Sequence, residues 1–478
     1  MSELGTEIRQ YYEEVVERVD TEWVRRPRKS SWKRGGAVAL AAALVTLVGL
    51  GLWALLARSA PDVVGPSPTE PLPGPTVTTG PSSAAPSVIV LADGTEIASI
   101  GENGLSNPRE GYRPLVDYVL RELTTNSDYW PRGMDGAEAL GLNSSQETGL
   151  TVALTVDPAV HEVVESVVRA WHDDPRTFIG VVVVDNDTGG VLAAGPGSPL
   201  ADAPFDPGRR LSAASLAQVY TTVAALEAGF PLGSTWDASS PQTFTSQDWP
   251  GEWTVYNAGG SASRGPAFGP TITLESALYR AVDTVFAAIG IEVGPEAVID
   301  AARRLGADLT DTEEADPPPS VAIGAGILDT FDAAAIFATL SREGVRTKPY
   351  LIESITDSSG RVVYEAPRAE ESTVDPDVVA EVRRPLRDVT TRGTAAGAFS
   401  GFDQSLEPIG KTGTAQEFTN AWYVGSTDRY TVAVAVGRTD GGPLMDLVFK
   451  GQLYARVFGG SVPAPVWVDI VSELAGTE

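Results

Sequence analysis

Three short segments carry the side chains that could do chemistry. Ser215 lies in Ser215-Leu216-Ala217-Gln218, Asp283 in Ala281-Val282-Asp283, and Lys411 in Lys411-Thr412-Gly413-Thr414-Ala415-Gln416. A serine hydroxyl is a weak nucleophile at its own pKa and needs an adjacent base. The residue three places on shares its helix face, and here it is Gln218, which can hydrogen-bond but has no accessible basicity. Beyond residue 58 the only lysines are Lys348, Lys411 and Lys450, and none follows a serine by three. An unperturbed aspartate is ionised at neutral pH, which permits Asp283 to act as the base. The competing reading is a hydrogen-bonded Gln218–Asp283 cluster in a pocket that does no chemistry. An Asp283–Lys411 pair would also neutralise the pocket and weaken its pull on an anionic substrate. Gly413 lets its strand approach a neighbouring helix closely.

The elements that must hold these segments follow from periodicity. A strand at 151–156 leads through Asp157-Pro158 into a helix to about Trp171, with Val160, Val163, Val164, Val167 and Val168 on its apolar face. Ile179–Val184 and Val191–Ala194 flank the turn Asn186-Asp187-Thr188-Gly189-Gly190 and read as a hairpin. Ser215–Gly229 reads as a helix buried nearly all round. Ile409–Ala415, Ala421–Gly425 and Thr431–Val436 read as a closing strand meander. Strands, a helical block and further strands make an α+β domain whose sheet is completed by distant parts of the chain. Asp93-Gly94 predicts a tight turn between Val88–Leu91 and Glu96–Ile100, and Pro114–Leu123 predicts a helix.

The N-terminal region is of another kind. Gly35–Ala57 is an uncharged, mostly apolar run, long enough for a transmembrane helix, with Arg25, Arg26, Arg28, Lys29, Lys33 and Arg34 before it. The expectation is a single-pass plasma-membrane anchor, with a cytoplasmic tail at 1–34 and an extracytoplasmic C-terminal part. Residues 58–87 are rich in Pro, Ser and Thr and read as an extended linker. The formal net charge of −28 argues against nucleic acid as a partner. With no cysteine, and only His161 and His172 as imidazoles, no metal site is expected; both histidines read as surface or helix-face residues.

Taken in order, these segments resemble the transpeptidase domain of penicillin-binding proteins. The resemblance is carried by Thr155-Val156-Asp157, by Ser215 with Ala224-Ala225-Leu226-Glu227, and by Ala322-Ile323-Gly324 through Asp332. It is strongest at Lys411-Thr412-Gly413-Thr414 followed by Trp422-Tyr423-Val424-Gly425. It implies an antiparallel sheet with a helical lobe over 151–478. It also implies a nucleophile at Ser215 that attacks a D-alanyl-D-alanine amide or a β-lactam. The family's S-x-x-K and S-x-N stand here as Ser215…Gln218 and Ala281…Asp283. Lys411, Thr412, Gly413 and Thr414 take the substrate-binding positions, and no cofactor is implied. Asn257, in Trp253-Thr254-Val255-Tyr256-Asn257, resembles a position before the second motif and reads as a turn residue. Residues 88–150 resemble the lead-in of bifunctional enzymes but are too few for a glycosyltransferase, and read as a vestigial or linker module.

The leading expectation is therefore a membrane-anchored homologue with impaired catalysis, acting in cell-wall (peptidoglycan) biogenesis by binding or scaffolding active synthases. The alternative is a working D,D-transpeptidase or carboxypeptidase that forms an acyl-enzyme at Ser215. A third reading is a sensor that binds a peptidoglycan stem peptide or a β-lactam and signals through residues 1–34.

Overall fold

A computed structural model describes residues 85–476 apart from 102–103, 107, 133, 141–147, 197–206, 246–250, 258–267, 269, 310–317 and 369. The chain enters through β1 (Ser87–Val90), β2 (Glu96–Gly101), β3 (Gly104–Ser106), α1 (Arg113–Thr125) and β4 (Thr151–Leu154). Then come α2 (Pro158–Trp171), β5 (Thr177–Asp185) and β6 (Val191–Pro196). The helical block is α3 (Ala217–Glu227), α4 (Leu274–Arg280), α5 (Asp283–Val293), α6 (Pro295–Arg304) and α7 (Thr330–Ser341). After β7 (Ile352–Thr356), β8 (Val362–Glu365) and α8 (Pro376–Thr391), the meander β9 (Ile409–Thr414), β10 (Asn420–Ser426) and β11 (Tyr430–Arg438) follows. A hairpin of β12 (Met445–Phe449) and β13 (Gln452–Arg456), then α9 (Pro463–Gly476), complete it.

Two sheets organise these elements. The central one has the order β9-β10-β11-β5-β6 and is antiparallel throughout. Its strands read as near-continuous apolar runs because both faces are covered. Val182 and Val184 of β5 point into one core with helical-lobe residues such as Val223, Phe286 and Ile336. Ile179, Val181 and Val183 point into the other, with Val164 of α2 and Trp467 of α9. This two-residue alternation sets the register, since a one-residue slip would exchange the two faces. The second sheet has the order β8-β7-β4-β1-β2-β3. It joins Val88–Val90 in parallel to Thr151–Ala153, while β7 pairs antiparallel with β4. Leu115, Val116 and Val119 of α1 belong to the same core as the helical lobe. The α+β layout expected from the sequence is thus present, with one antiparallel and one mixed sheet.

The expected membrane-spanning helix, and with it the single-pass plasma-membrane placement, is corrected. No helix among the described residues is long and apolar enough to cross a membrane. The span expected at 35–57 lies outside those residues, as do the tail at 1–34 and nearly all of the linker at 58–87. The longest described helix, α8, has 16 residues and carries several charges, short of the roughly 20 apolar residues a bilayer core requires. The most apolar helices, α5 and α7, have 11 and 12 residues and are buried inside the fold.

The histidines also differ from expectation. Both are buried, His161 stacked on Tyr112 at 4.5 Å between ring centroids and His172 bonded through Nε2 to the Thr177 carbonyl. The Val-rich face of α2 packs on the sheet and takes the two rings in with it.

Candidate active site

Strand β9 lies at the edge of the central sheet, and its free side faces the start of α3 and the junction between α4 and α5. A cleft of about 770 Å³ opens there, lined by Ser215, Ala281, Asp283, Thr412, Thr414 and Arg456 among others. The three segments picked out by residue type therefore meet at one place. A larger cavity, about 840 Å³, lies between α1, α7 and β7 and is lined by none of the three segments.

Ser215 sits in the tight turn that leads into α3, so Gln218, one turn on, comes to the same side of the helix. The residue before it, Ala214, has φ +47, outside the region comfortable for an L-residue. Ala281 closes α4 in the left-handed conformation, with φ 55 and ψ 58, and turns the chain so that Asp283 becomes the first residue of α5. Glu417 and Phe418, just beyond the β9 segment, also have positive φ. Half of the positive-φ, non-glycine residues among those described thus surround this cleft. Such strain persists only where the surroundings over-determine it.

The Gln218 amide donates from Nε2 to Asp283 Oδ1 at 2.8 Å. Its Oε1 is buried and meets no protein partner. The reverse orientation would set the amide oxygen against an ionised carboxylate. The Ser215 hydroxyl is a further hydrogen-bonding neighbour of Asp283. Burial pushes the Asp283 carboxyl up to about 6, against the pull of Lys411 and of its hydrogen bonds from Gln218 and Ser215. Its place at a helix N-terminus also favours the ionised form. Burial brings Lys411 down to about 7, partly offset by the Asp283 charge. Lys411 has no exposed surface and donates from Nζ to the Thr412 carbonyl at 3.1 Å. Fully buried Lys411 thus stands near the half-buried Asp283, and each charge supports the ionised form of the other.

The remaining β9 positions serve the cleft wall. Thr412 Oγ1 lies 2.6 Å from Thr394 Oγ1, and Thr414 Oγ1 accepts from the Gly459 amide at 3.1 Å. A Cβ on Gly413 would sit 3.1 Å from Trp422 and 3.5 Å from the Ala213 carbonyl, so the glycine lets β9 approach the serine turn. Asn257 does more than make a turn: its Oδ1 accepts from the Thr284 amide at 2.9 Å, capping α5 directly after Asp283. Among the cleft residues not singled out from the sequence are Thr394, Arg280 and Arg456. Thr394 follows a helix in Gly393-Thr394-Ala395, with no spacing to mark it. The two arginines come from segments more than a hundred residues apart. Ser212, the nearby serine, donates to the Gly324 carbonyl at 3.0 Å and is not part of the cleft wall.

Comparison with known proteins identifies the fold and the family. A segment of the chain is 28% identical over 339 residues to penicillin-binding protein 1A of Mycolicibacterium smegmatis, covering 67% of this chain and 40% of that protein. It is 27% identical over 282 residues to the peptidoglycan D,D-transpeptidase PbpA of the same organism, covering 52% of each. The chain thus spans about two-fifths of the first of these relatives. The fold resembles PonA1 of Mycobacterium tuberculosis solved with penicillin V, with a TM-score of 0.60, 23% identity, and coverage of 75% of this chain and 93% of that one. It also resembles the penicillin G acyl-enzyme of penicillin-binding protein A from M. tuberculosis, with a TM-score of 0.59, 21% identity, and coverage of 82% and 100%. Residues 179–450, more than half of the chain, match the penicillin binding protein transpeptidase domain, and the chain belongs to that family.

Proposed function

We propose that this domain acts on peptidoglycan as a D,D-transpeptidase or carboxypeptidase, forming an acyl-enzyme at Ser215 with a D-alanyl-D-alanine peptide or a β-lactam. The observation that carries this reading is Ser215 in the wall of an open cleft, together with the half-buried Asp283 carboxyl, whose pKa is raised to about 6. The pKa of that carboxyl suits proton transfer better than an ordinary aspartate does. Ser215 stands at the start of α3, where the positive end of the helix dipole favours negative charge developing on an attacked carbonyl. Thr412, Thr414 and Lys411 take the positions that hold a substrate carboxylate. Relatives named as transpeptidases, and a neighbour of like fold captured as an acyl-enzyme, support the same chemistry.

A second reading has its own observation. Gln218 stands where the family places a lysine, with one buried amide atom unpaired. On that reading the S-x-x-K and S-x-N motifs are degenerate, catalysis is impaired, and the domain binds muropeptide or other cell-wall synthesis proteins without turnover.

Intact-mass spectrometry of the full chain after incubation with excess benzylpenicillin separates the two. The expected result is one added penicilloyl group, mapped to the Ser215 peptide and absent in Ser215→Ala. No adduct after prolonged incubation, with an active homologue labelling in parallel, would leave the impaired binding reading.

A further inference from the structure

The acyl-enzyme reading leaves a gap, because a serine needs a base and the residue one turn after Ser215 cannot be one. Lys411 does not fill it directly. Its ammonium donates to the Thr412 carbonyl, and the side chain has no exposed surface and is not part of the cleft lining. Asp283 is placed as a base requires, since its carboxyl lines the same cleft as Ser215 and is held at 2.8 Å by the Gln218 amide. Nucleophile, base and a third group that orients the base form a recurring catalytic geometry.

We infer that Asp283 is the general base for Ser215, and that Gln218 is a positioning residue that fixes the carboxyl of Asp283. The inference rests on the reading of Ser215 as an acylated nucleophile. The charge balance fits. With Gln218 neutral, the Lys411 charge favours the ionised form of Asp283 against desolvation.

The proton and bond changes close. The Ser215 hydroxyl gives its proton to Asp283 as Oγ bonds to the carbonyl carbon of the terminal D-alanyl amide, or of the β-lactam. Collapse of the tetrahedral adduct breaks the C–N bond, and Asp283 returns the proton to the departing nitrogen. The acyl group then passes to an amine or to water, whose proton Asp283 accepts and returns to Ser215 Oγ.

The ionisation of Asp283 sets the pH dependence. Elements packed against α5 carry Glu227 of α3, Glu275 and Arg280 of α4, Glu296, Asp300, Arg303 and Arg304 of α6, Asp237 of 235–237 and Glu252 of 252–255. None of these contributes to the titration of Asp283, which is governed by burial, Lys411, Gln218 and Ser215.

The test is the rate of benzylpenicillin acylation of the full chain from pH 5 to pH 8, read by intact mass. The wild-type rate is expected to fall about tenfold per pH unit on the acid side of pH 6. Asp283→Asn is expected to lose at least about 100-fold, with partial recovery in Asp283→Glu. Gln218→Ala removes a hydrogen bond that favours the carboxylate, so its acid limb moves to higher pH. If Asp283→Asn does not fold, the wild-type limb and its movement in Gln218→Ala still decide the matter. Asp283→Asn acylating at the wild-type rate, or a limb that Gln218→Ala leaves in place, would overturn the assignment while the acyl-enzyme reading stood. Absence of any adduct in the wild type across this range would overturn both.

Discussion

Lys411 combines full burial with a charge, and the two work against each other. Desolvation brings its ammonium down to about 7, while the Asp283 carboxylate supports the charged form. The pair is felt from the other side too, because Lys411 holds Asp283 below the value burial alone would give. Lys411→Met keeps the length of the side chain and removes the charge. Asp283 then loses the cation that favours its ionised form, so its carboxyl should titrate higher. We expect the acid limb of benzylpenicillin acylation to move up by roughly 1 pH unit. A limb that stays in place would show that the two groups do not communicate. Stability at neutral pH should fall, since removing one partner of an ion pair leaves Asp283 without its counter-charge. Residue type alone made Ser215, Gln218, Asp283 and Lys411 visible in the sequence. The 2.8 Å contact between Gln218 and Asp283, and the depth at which Lys411 sits, depend on segments up to about 200 residues apart, and no local pattern encodes them.

At the scale of elements, the serine turn is braced from outside. Ala213 donates to the Gly326 carbonyl at 2.8 Å, and Ser212 Oγ donates to the Gly324 carbonyl at 3.0 Å. Gly324 has φ +102, and a Cβ there would lie 2.1 Å from the Ala214 carbonyl oxygen. Gly324→Ala thus meets both a strained backbone and a rigid neighbour. It should cost more than about 1 kcal/mol of stability and slow acylation at Ser215, because the turn that must move contains the nucleophile. Urea unfolding and the acylation rate, measured on the same variant, check the two halves. A stable Gly324→Ala with full acylation would show that the brace is dispensable. The hairpins and the closing meander were legible from alternation and turn residues to within a few positions. Helix α9 was not picked out, although Val466, Ile470 and Leu474 carry a helical spacing. The six-stranded sheet was hidden for a better reason: β1 and β4 pair in parallel across some sixty residues, and parallel pairing leaves no turn to read.

At the scale of the whole molecule, His161 joins the N-terminal segment to the sheet. It belongs to α2, stacks on Tyr112 just ahead of α1, and is 3% exposed. Burial lowers its pKa to about 4 from an ordinary 6.5, partly offset by the Gly111 backbone. The unfolded chain therefore takes up a proton near 6.5 while the folded one does not until about 4. Stability from this group is complete above 6.5 and is lost as pH falls toward 4, amounting to roughly 3 kcal/mol at the acid end. Buried carboxyls act in the opposite sense. Asp283, at about 6, and Asp329, raised by desolvation and by the neighbouring Asp332 charge, contribute at low pH and lose that contribution as pH rises through their folded values. The total pH profile is a sum of these terms, and a single melting curve cannot assign it. Comparison with His161→Phe can, because Phe preserves the stack on Tyr112 and has no proton to gain. Urea unfolding of both proteins at pH 7.5 and pH 5 gives two differences, and the carboxylate terms cancel between them. We expect the wild type to lose about 2 kcal/mol relative to His161→Phe on going to pH 5. An equal response of the two proteins would mean that His161 protonates within the folded state at its ordinary pKa, and that the contact between α2 and the N-terminal segment opens readily to water.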